Sequence, residues 1–446
     1  MVTLFGHPMR SEVLLLCVGE VVLCFAVFLV IFGAGVPEAG EVAPWEILSA
    51  GALAASVGVA SGATGLYRPD TWLRLQRVVA GTLLGGIALL AVLQLAVHAG
   101  LPTEVVRASW RWSAAIFASF VVVVLVTRLA LVAYARTGRL RRRVAVLHAP
   151  DATWGAEHWI STDPYLDVVL ATPAQKDTVA GLTSPRLREL GVWAVVAEDS
   201  AALPTDRVAE LRGAGIRVFG EAEFLEHRLG RIDLARLPAD WRPSRSPKSN
   251  LLVQAVRRSF DIAVSGVLIL VTLPVLLLTA IAIKVDSRGP IFYRQERVGR
   301  HGRVYSLMKF RSMRTDAEAG GAPQWATKGD PRVTRVGRFI RLTRIDEIPQ
   351  VLNVLRGDMA FIGPRPERPA FVKQLSELIP HYDVRACVKP GITGWAQVNY
   401  PYGASVADAR MKLSYDLYYV ERRSLFLDLL ILIATVRVVL FQEGSR

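Results

Sequence analysis

Apolar residues are gathered into blocks rather than spread evenly along the chain, and the first third of the sequence holds four of them. The blocks are Val13–Phe32, Ile47–Leu66, Val78–Val97 and Ser113–Tyr134. Each is about 20 residues long, the length that a helix needs to cross a hydrocarbon core of roughly 30 Å. The pattern therefore predicts a bundle of four transmembrane helices over residues 1–136.

Basic residues between these blocks predict how the bundle is oriented. The first connection carries acidic residues without Lys or Arg, whereas the fourth block is followed by Arg136, Arg139, Arg141, Arg142 and Arg143. Cytoplasmic loops carry the excess of Lys and Arg. We expect the N-terminus and everything after Arg143 to lie in the cytoplasm, and the first block to remain as an anchor because no signal-peptide cleavage pattern follows it.

Two charged residues, Glu20 and Arg128, lie inside apolar blocks. An ionisable side chain within a membrane segment is costly, so it either serves a function or is neutralised by a partner. We favour a pair, or a position near an interface, that organises the bundle.

After the bundle, the pattern changes to short β-rich runs that alternate with predicted helices. The runs are Val144–Leu147, Asp167–Leu170, Trp193–Ala197 and Arg217–Phe219. This alternation predicts a small α/β module with a parallel sheet over residues 137–236. The first run continues into His148-Ala149-Pro150-Asp151 without a Gly-x-Gly turn, so a packing or regulatory role is favoured over dinucleotide binding. Residues 237–252 are predicted to be a linker.

A further apolar stretch, Asp261–Ile283, is interrupted by Pro274 and has basic residues at both ends. Proline inside a helix removes a backbone hydrogen bond and clashes with the preceding turn. A straight span would also put one basic flank on the wrong side of the membrane. We therefore predict a re-entrant membrane helix over residues 253–286 that breaks at Pro274. The alternative is an ordinary fifth span, which would place residues 309–446 outside.

Composition narrows the partners of this chain. Hydrophobic residues make up 52% of its 446 residues, and its formal net charge is +14. Such a chain suits an anionic membrane surface, phosphorylated substrates or nucleic acid. Nucleic acid is not expected, because no zinc-finger or helix-turn-helix spacing is present. The isolated cysteines Cys17, Cys24 and Cys387 predict neither a disulfide framework nor a metal cluster.

Most of the candidate chemistry follows residue 288. Residues 292–314 predict a β-hairpin with Gly299 and Gly302 at its turn. Alternation along its second strand would put Lys309 and Arg311 on one face. Two neighbouring cations repel each other unless an anion lies between them, although a solvated strand face is the alternative.

The adjacent acids Asp346 and Glu347 lie at the N-terminus of a predicted helix that runs roughly from Glu347 to Arg356, with Pro349 in its first turn and Gly357 at its end. Acids at this position commonly cap the helix. A carboxylate held there also stays ionised, so it can serve as a nucleophile or a metal ligand. Adjacent helical residues point about 100° apart, which predicts a different task for each acid.

Arg365 is flanked by prolines in the run Gly363-Pro364-Arg365-Pro366-Glu367. The prolines restrict the backbone on both sides, so the guanidinium is presented with little conformational freedom. A guanidinium held in this way is well suited to bind phosphate oxygens.

Five segments of this region together resemble one known family. They read KFRSMR from Lys309, DPRVTRVGRFIR from Asp330, TRIDEIPQVLNVLRGDMAFIGPRPE from Thr343, VKPGITGWAQV from Val388 and YDLYYV from Tyr415. They resemble the bacterial sugar transferases, the monotopic polyprenyl-phosphate sugar-1-phosphate transferases. The chain looks most like the long form, similar to the undecaprenyl-phosphate glucose phosphotransferases of exopolysaccharide biosynthesis.

The resemblance implies a fold and a location. The expected fold is a membrane α/β protein with a four-helix transmembrane bundle, a Rossmann-like α/β cytoplasmic module and a mainly helical catalytic domain over residues 287–446. The re-entrant membrane helix and the small β-hairpin belong to the catalytic part. The expected location is the bacterial inner (cytoplasmic) membrane, with the catalytic domain on the cytoplasmic face.

It also implies an activity and its residues. A sugar-1-phosphate would pass from a UDP-sugar to undecaprenyl phosphate with release of UMP, through a phosphosugar-aspartyl intermediate. UDP-glucose is the favoured donor, ahead of UDP-galactose or an N-acetylated hexosamine. Asp346 would be the nucleophile, and Glu347 with Asp346 would hold Mg²⁺. The substrate phosphates would lie near four further residues, Lys309, Arg311, Arg365 and Asp416.

The implied partners are the UDP-sugar, undecaprenyl phosphate in an anionic bilayer, a second copy in a homodimer and other exopolysaccharide assembly proteins. One departure concerns the segment after the Gly-Trp-Ala-Gln-Val run, where the family often has an arginine and this chain continues Asn399-Tyr400-Pro401. Arg385 or Arg410 could replace that arginine. Two rival hypotheses are a non-catalytic scaffold of a polysaccharide export complex and a transporter.

Overall fold

In the computed structural model, the described residues are 2–4, 7–9, 11–33, 44–68, 71, 75–98, 103–137, 141–148, 166–173, 183–197, 203–243, 251–315, 317, 330–400, 403 and 405–441. From Pro8 onward, the chain divides into two compact units, one ending at Leu229 and the other beginning at Gly230. The predicted turn at residues 149–151, much of the predicted linker (244–250) and Pro401 lie outside the described residues.

The first unit begins with two paired three-residue strands, Val2–Leu4 and His7–Met9, and continues with four apolar helices. The helices are Ser11–Gly33, Pro44–Ala63, Leu75–His98 and Thr103–Arg136. Their buried faces form one apolar cluster that includes Phe28, Val57 and Phe120. Continuously apolar runs of this length suit a membrane, where no water is present to bond the backbone. A helix forms there because it satisfies the backbone N–H and C=O groups within the segment itself.

The apolar helices agree with the predicted blocks in three of four cases. Within the described residues, four helices are long and apolar enough to cross a membrane, and three of them belong to this unit: Ser11–Gly33, Leu75–Gln94 and Trp112–Ala135. The helix of the second predicted block runs from Pro44 to Ala63, so it begins and ends three residues earlier than the block Ile47–Leu66. The chain turns at Thr64 to Tyr67, where Gly65 has a φ of 76°.

The charged pair of the bundle is closed on itself, as the sequence predicted. The carboxylate of Glu20 accepts hydrogen bonds from Arg128, from the Tyr67 hydroxyl at 2.9 Å and from the Thr127 hydroxyl at 2.7 Å. Glu20 and Arg128 are both buried, with exposed fractions of 0% and 2%. The pair therefore joins the first and fourth helices and the turn after the second.

Four parallel strands form the predicted α/β sheet, in the spatial order second, first, third, fourth. They are Arg142–His148, Leu166–Pro173, Val192–Ala197 and Arg217–Gly220, with helices Ser184–Glu189, Thr205–Gly213 and Glu221–Leu229. Both faces of the sheet are covered, since Ala145 and Leu147 belong to one apolar cluster and Val144 and Val146 to another. This explains why the strands are continuously apolar instead of alternating.

The second unit contains a long apolar helix, Leu251–Asp286, which has Pro274 in its interior and is the fourth helix able to cross a membrane. Its middle exposes large apolar side chains, namely Ile262, Val267, Leu270, Val271, Leu277, Leu278 and Ile281. Near its start, Arg258 donates to the carbonyls of Val354 and Leu355, both at 2.6 Å. At its end, the Asp286 carboxylate accepts from the Val336 amide at 3.2 Å.

The predicted hairpin is present after this helix. Strands Phe292–Val298 and Val304–Phe310 pair antiparallel, and Gly302 adopts a φ of 77° in the turn between them. The remaining helices are Arg335–Leu342, Val351–Arg356, Pro369–Leu378, Trp395–Asn399, Val406–Arg422 and Leu425–Leu440. The 3₁₀ turns are Leu234–Arg236, Arg300–Gly302, Ile345–Gln350 and Tyr382–Cys387. Two short strands, Ala360–Ile362 and Gly391–Thr393, pair in parallel.

The core of the second unit is built on its last two long helices. Tyr418 and Tyr419 are fully buried there, and Leu427 and Ile431 pack beside them, so the C-terminal apolar helix Leu425–Leu440 is packed into this core. Ile232, which lies before the long apolar helix, joins the same core, and the Trp395 indole donates to the Gly230 carbonyl at 2.6 Å. This core supports one wall of the candidate site.

Candidate active site

A cavity of about 450 Å³ opens in the second unit where the hairpin, the turn Ile345–Gln350, the segment around Arg365 and the helix Val406–Arg422 meet. Among the described residues that line it, eleven are basic and four are acidic. The basic ones are Arg297, Lys309, Arg311, Arg314, Arg332, Arg341, Arg344, Arg365, Arg368, Arg385 and Lys412, and the acidic ones are Asp346, Glu347, Glu367 and Asp416. This excess of positive charge suits a ligand that carries several negative charges.

The adjacent acids lie on the 3₁₀ turn Ile345–Gln350, which we call the carboxylate turn. The predicted helix was wrong at its start, because the α-helix begins at Val351 and Pro349 lies inside the 3₁₀ turn. It ends at Arg356 as predicted, with Gly357 at a φ of 92°. A 3₁₀ turn has three residues per turn, so adjacent side chains diverge by about 120°. The two carboxylates therefore face different surroundings.

Asp346 is buried, and its pKa is raised to about 6. Burial is the largest cause and the negative charge of Glu347 is the second, whereas Lys309, Arg341 and Arg344 act in the opposite direction. The sequence expectation that a helix end keeps this acid ionised omitted burial, which disfavours the charged form. At pH 7 and above, the carboxylate is still mainly ionised and can act as a nucleophile.

Glu347 has the opposite shift. Burial would raise its pKa, but Arg365 and Arg344 outweigh that effect and lower the pKa to about 2. Arg365 donates to the Glu347 carboxylate at 2.6 Å, and Arg344 lies 3.9 Å from the same oxygen. The structure thus separates the two acids electrostatically, and a different task for each of them stays a prediction.

Lys309 lines the cavity from the second strand of the hairpin, and its ammonium lies over the Tyr293 ring at 5.5 Å from the ring centroid. Burial lowers the pKa of Lys309, while the charge of Asp346 raises it. Because Lys309 and Asp346 shift each other's pKa, the ammonium group offsets part of the negative charge of the Asp346 carboxylate.

Arg311 is also at the cavity wall, but it does not share the environment of Lys309. Its guanidinium donates to the carbonyls of Ser287 and Arg288 at 2.7 and 2.9 Å. Gly289, at a φ of 123°, leaves the room for this approach, since a Cβ atom there would overlap the guanidinium. The strand ends at Phe310, so the alternation that predicted a shared face stops one residue before Arg311. These bonds tie the hairpin to the end of the long apolar helix.

Arg365 contacts the cavity with its side chain held on two sides. One nitrogen donates to Glu347, and another donates to the Gln397 side chain at 3.0 Å. Its main-chain carbonyl accepts from Arg385 at 2.9 Å. The flanking prolines and these bonds fix the direction of the guanidinium.

Asp416 is only 2% exposed, and it pairs with Arg385 at 2.7 Å. Burial raises the pKa of Asp416 to about 6, against the lowering effect of Arg385. The structure therefore brings Asp346, Glu347, Lys309 and Arg365 together, whereas Asp416 reaches the group through Arg385.

Several cavity residues escaped the sequence analysis. Arg341 and Arg344 lie next to the carboxylate turn. Lys412 lines the cavity from the helix Val406–Arg422, and its ammonium donates to the Gly403 carbonyl at 2.7 Å. Helical spacing would have found Lys412, which precedes Asp416 by four residues on one face. Two arginines were candidates to replace the family's missing arginine. Arg385 lines the cavity, and its guanidinium is bound to Asp416, Tyr382 and the Arg365 carbonyl. Arg410 is exposed and is not among the described residues that line the cavity.

The described residues hold no group of three or more His, Cys, Asp or Glu side chains arranged for a metal ion. Mg²⁺ usually takes one or two carboxylates and completes its coordination with water and substrate phosphates. The adjacent acids Asp346 and Glu347, whose mutual repulsion contributes to the raised pKa of Asp346, fit that donor set.

Comparison with known proteins places this site in a family. The family model described as bacterial sugar transferase matches residues 252–442. The UDP-N-acetylgalactosamine-undecaprenyl-phosphate N-acetylgalactosaminephosphotransferase of Aeromonas hydrophila is 41% identical over 59% of this chain and 63% of its own length. The chain thus spans less than two thirds of that relative.

Two further relatives are matched over more of their length. The UDP-glucose:undecaprenyl-phosphate glucose-1-phosphate transferase of Caulobacter vibrioides is 40% identical over 45% of this chain and 75% of its own. The exopolysaccharide production protein PSS of Rhizobium leguminosarum bv. phaseoli is 42% identical over 41% of this chain and 93% of its own. The chain therefore belongs to the bacterial sugar transferase family.

Proposed function

We propose that the chain transfers a sugar-1-phosphate from a UDP-sugar to undecaprenyl phosphate and releases UMP, as the first step of exopolysaccharide assembly. The observation that carries this proposal is the position of Asp346 and Glu347 at a cavity with eleven cationic and four anionic lining residues. The names of the relatives, which specify glucose or N-acetylgalactosamine and undecaprenyl phosphate, support the substrate classes.

In the first step, the Asp346 carboxylate attacks the β-phosphorus of the UDP-sugar. A bond forms between the carboxylate oxygen and the phosphorus, and the bond from that phosphorus to the bridging oxygen breaks, so UMP leaves with the oxygen. The product on the enzyme is a phosphosugar-aspartyl intermediate. Covalent catalysis divides one transfer between two bulky anions into two easier steps.

In the second step, a phosphate oxygen of undecaprenyl phosphate attacks the same phosphorus. The acyl phosphate bond breaks, the Asp346 carboxylate is restored, and the lipid carries a diphosphate-linked sugar. The nucleophiles of both steps are anions that approach an anionic phosphorus group, so cations must offset the repulsion.

Lys309 and Arg365 are placed to supply that positive charge, Lys309 beside Asp346 and Arg365 beside Glu347. Mg²⁺, held by Glu347 with Asp346, would supply further neutralisation of the diphosphate. Arg311, whose guanidinium is bound to main-chain carbonyls, would act on the shape of the phosphate site rather than contact the substrate.

We further propose that the long apolar helix is re-entrant and that the cavity faces the cytoplasm. From Arg258 to Asp286 a straight helix rises about 42 Å, which exceeds a hydrocarbon core of roughly 30 Å. Yet Arg258 bonds to the Val354 carbonyl and Asp286 bonds to the Val336 amide, and both partners belong to the unit that carries the cavity. This supports a helix whose two ends return to the same side of the membrane, with Pro274 as the break.

UDP-glucose is the proposed donor, and UDP-N-acetylgalactosamine is the second candidate. The Aeromonas relative, whose name specifies the latter, is matched over 269 residues. The Caulobacter relative, whose name specifies glucose, is matched over 201 residues.

A panel of UDP-sugars incubated with membranes that contain the chain tests the proposal, with UMP release as the readout. Release should require Mg²⁺ and one donor of the panel, and the labelled sugar phosphate should appear in an organic extract only when undecaprenyl phosphate is present. Binding of UDP-sugars without UMP release from any of them would favour the scaffold hypothesis and contradict the transferase.

A further inference from the structure

The side chain of Arg385 lies between three partners beneath Arg365. Its guanidinium donates to the Asp416 carboxylate at 2.7 Å, to the Tyr382 hydroxyl at 2.8 Å and to the main-chain carbonyl of Arg365 at 2.9 Å. We propose that Asp416 and Arg385 form a relay that positions Arg365 for the substrate phosphate, so that Arg385 is a positioning residue of the transfer. This inference rests on the proposed function.

Arg365 is held through its main chain as well as through its side-chain bonds. Glu347 and Gln397 fix the guanidinium of Arg365. Neither bond fixes its main chain between Pro364 and Pro366, which determines the position of the side chain's first atoms. Arg385 fixes the carbonyl at this point. A positioning bond to the main chain moves the whole side chain, and a displacement of about 1 Å can cost about 10²-fold in rate.

Asp416 is poorly suited to direct contact with the substrate phosphates. An ionised carboxylate repels a diphosphate, so direct contact with substrate would oppose binding. Asp416 is almost completely buried and already pairs with Arg385. Its contribution is therefore to hold the guanidinium of Arg385 in place, which separates its role from those of Lys309 and Arg365.

The relay needs an arginine at position 385. The three partners are met by one planar group with several donors in a fixed arrangement, and only arginine presents such a group. The side chain of Arg385 is 13% exposed, and the positive charges of Lys412 and Arg365 are nearby. Lysine at this position would keep the charge but could not maintain all three bonds.

A double-substitution cycle tests the relay in the full chain. Arg365→Lys, Arg385→Lys and the double variant are compared by kcat/KM for UMP release. We expect losses of about 10²-fold for Arg365→Lys and about tenfold for Arg385→Lys, with the double variant within about threefold of Arg365→Lys alone. Arg385→Lys should also change KM and kcat in the same proportion as Arg365→Lys does.

Losses that multiply to about 10³-fold in the double variant would contradict the relay. So would a fall in kcat that follows only the amount of folded protein. If Arg385→Lys does not fold, Asp416→Asn replaces it in the same cycle, since Asn keeps the size of the side chain and removes the charge. Arg207→Lys, in a surface pair of the first unit, is the matched control for an arginine-to-lysine change.

The two proposals fail in different ways. No UMP release by the wild-type chain with any donor would contradict the proposed function. Wild-type release together with independent losses would contradict the relay alone.

Discussion

The chain contains two arginine–carboxylate networks that differ in exposure: one is buried and closed to solvent, and the other is open to a cavity. In the bundle, Glu20 accepts from Arg128, Tyr67 and Thr127, and both charged residues are at most 2% exposed. In the second unit, Arg365 pairs with Glu347 at 2.6 Å, yet the arginine side chain is 38% exposed and lines a cavity.

The difference indicates what each network is for. The Glu20 carboxylate receives its donors from the chain itself, so the bundle network balances its charge and joins helices. Around Arg365, the described residues that line the cavity include more cations than anions, which suits an anionic ligand. A closed pair is expected to contribute stability and an open, unbalanced one to contribute binding and catalysis.

The largest expected effect is the loss of UMP release when Asp346, which lies in the open network, is substituted. Asp346→Asn removes the proposed nucleophile but keeps the shape of the side chain, so UMP release should fall by at least about 10³-fold. Thermal unfolding of the variant, followed in detergent, should show a folded protein. Release near the wild-type rate would contradict the assignment of Asp346.

The closed network should respond in the opposite manner. Arg128→Ala leaves Glu20 as a buried charge without its counter-ion, which is expected to lower the free energy of unfolding by about 3–5 kcal/mol. Thermal unfolding measures this loss. The kcat per folded molecule should stay within about twofold of the wild type, and a specific loss of kcat would show that the comparison is wrong.

The pH dependence should report Asp346. Its pKa is raised to about 6 by burial and by Glu347, so the ionised fraction falls below that pH. The rate of UMP release should fall about tenfold per pH unit below about 6 and level off above it. The measurement omits undecaprenyl phosphate, so that titration of the lipid phosphate does not contribute. A rate independent of pH between 5 and 8 would contradict an aspartate nucleophile with this pKa.

The smallest expected effect is on stability. The pKa of Asp346 is about 6 in the folded chain and near 3.8 when unperturbed. Ionisation therefore destabilises the folded state as the pH rises through this range, and the full cost of about 3 kcal/mol is present above it. Asp346→Asn should be more stable than the wild type at pH 8, with roughly half of that advantage at pH 5. Thermal unfolding at the two pH values checks the sign.

The sequence was informative where the signal is local. Continuous apolar runs predicted the membrane helices and the buried strands, Gly302 marked the hairpin turn, and Pro364 and Pro366 marked the rigid segment around Arg365. The pairing of Glu20 with Arg128 was also predicted, because two opposite charges in apolar blocks have few other partners.

Contacts between distant segments were not predicted. Arg311 turns to the carbonyls of Ser287 and Arg288, although strand alternation had assigned it to the same face as Lys309. Likewise, Asp416 lies 31 residues from its partner Arg385, and no periodic pattern connects them. Burial, which raises the pKa of Asp346, is set by the whole unit and has no local signal.

The most direct test of the central claim is to trap the intermediate. The full chain is incubated with the preferred UDP-sugar, labelled at the β-phosphate, in the absence of undecaprenyl phosphate, and the polypeptide is mapped for label. We expect label on Asp346 together with a burst of one UMP per active chain. The label should pass to undecaprenyl phosphate when the lipid is added. Label on another residue, or transfer to lipid by the Asp346→Asn variant, would contradict the central claim.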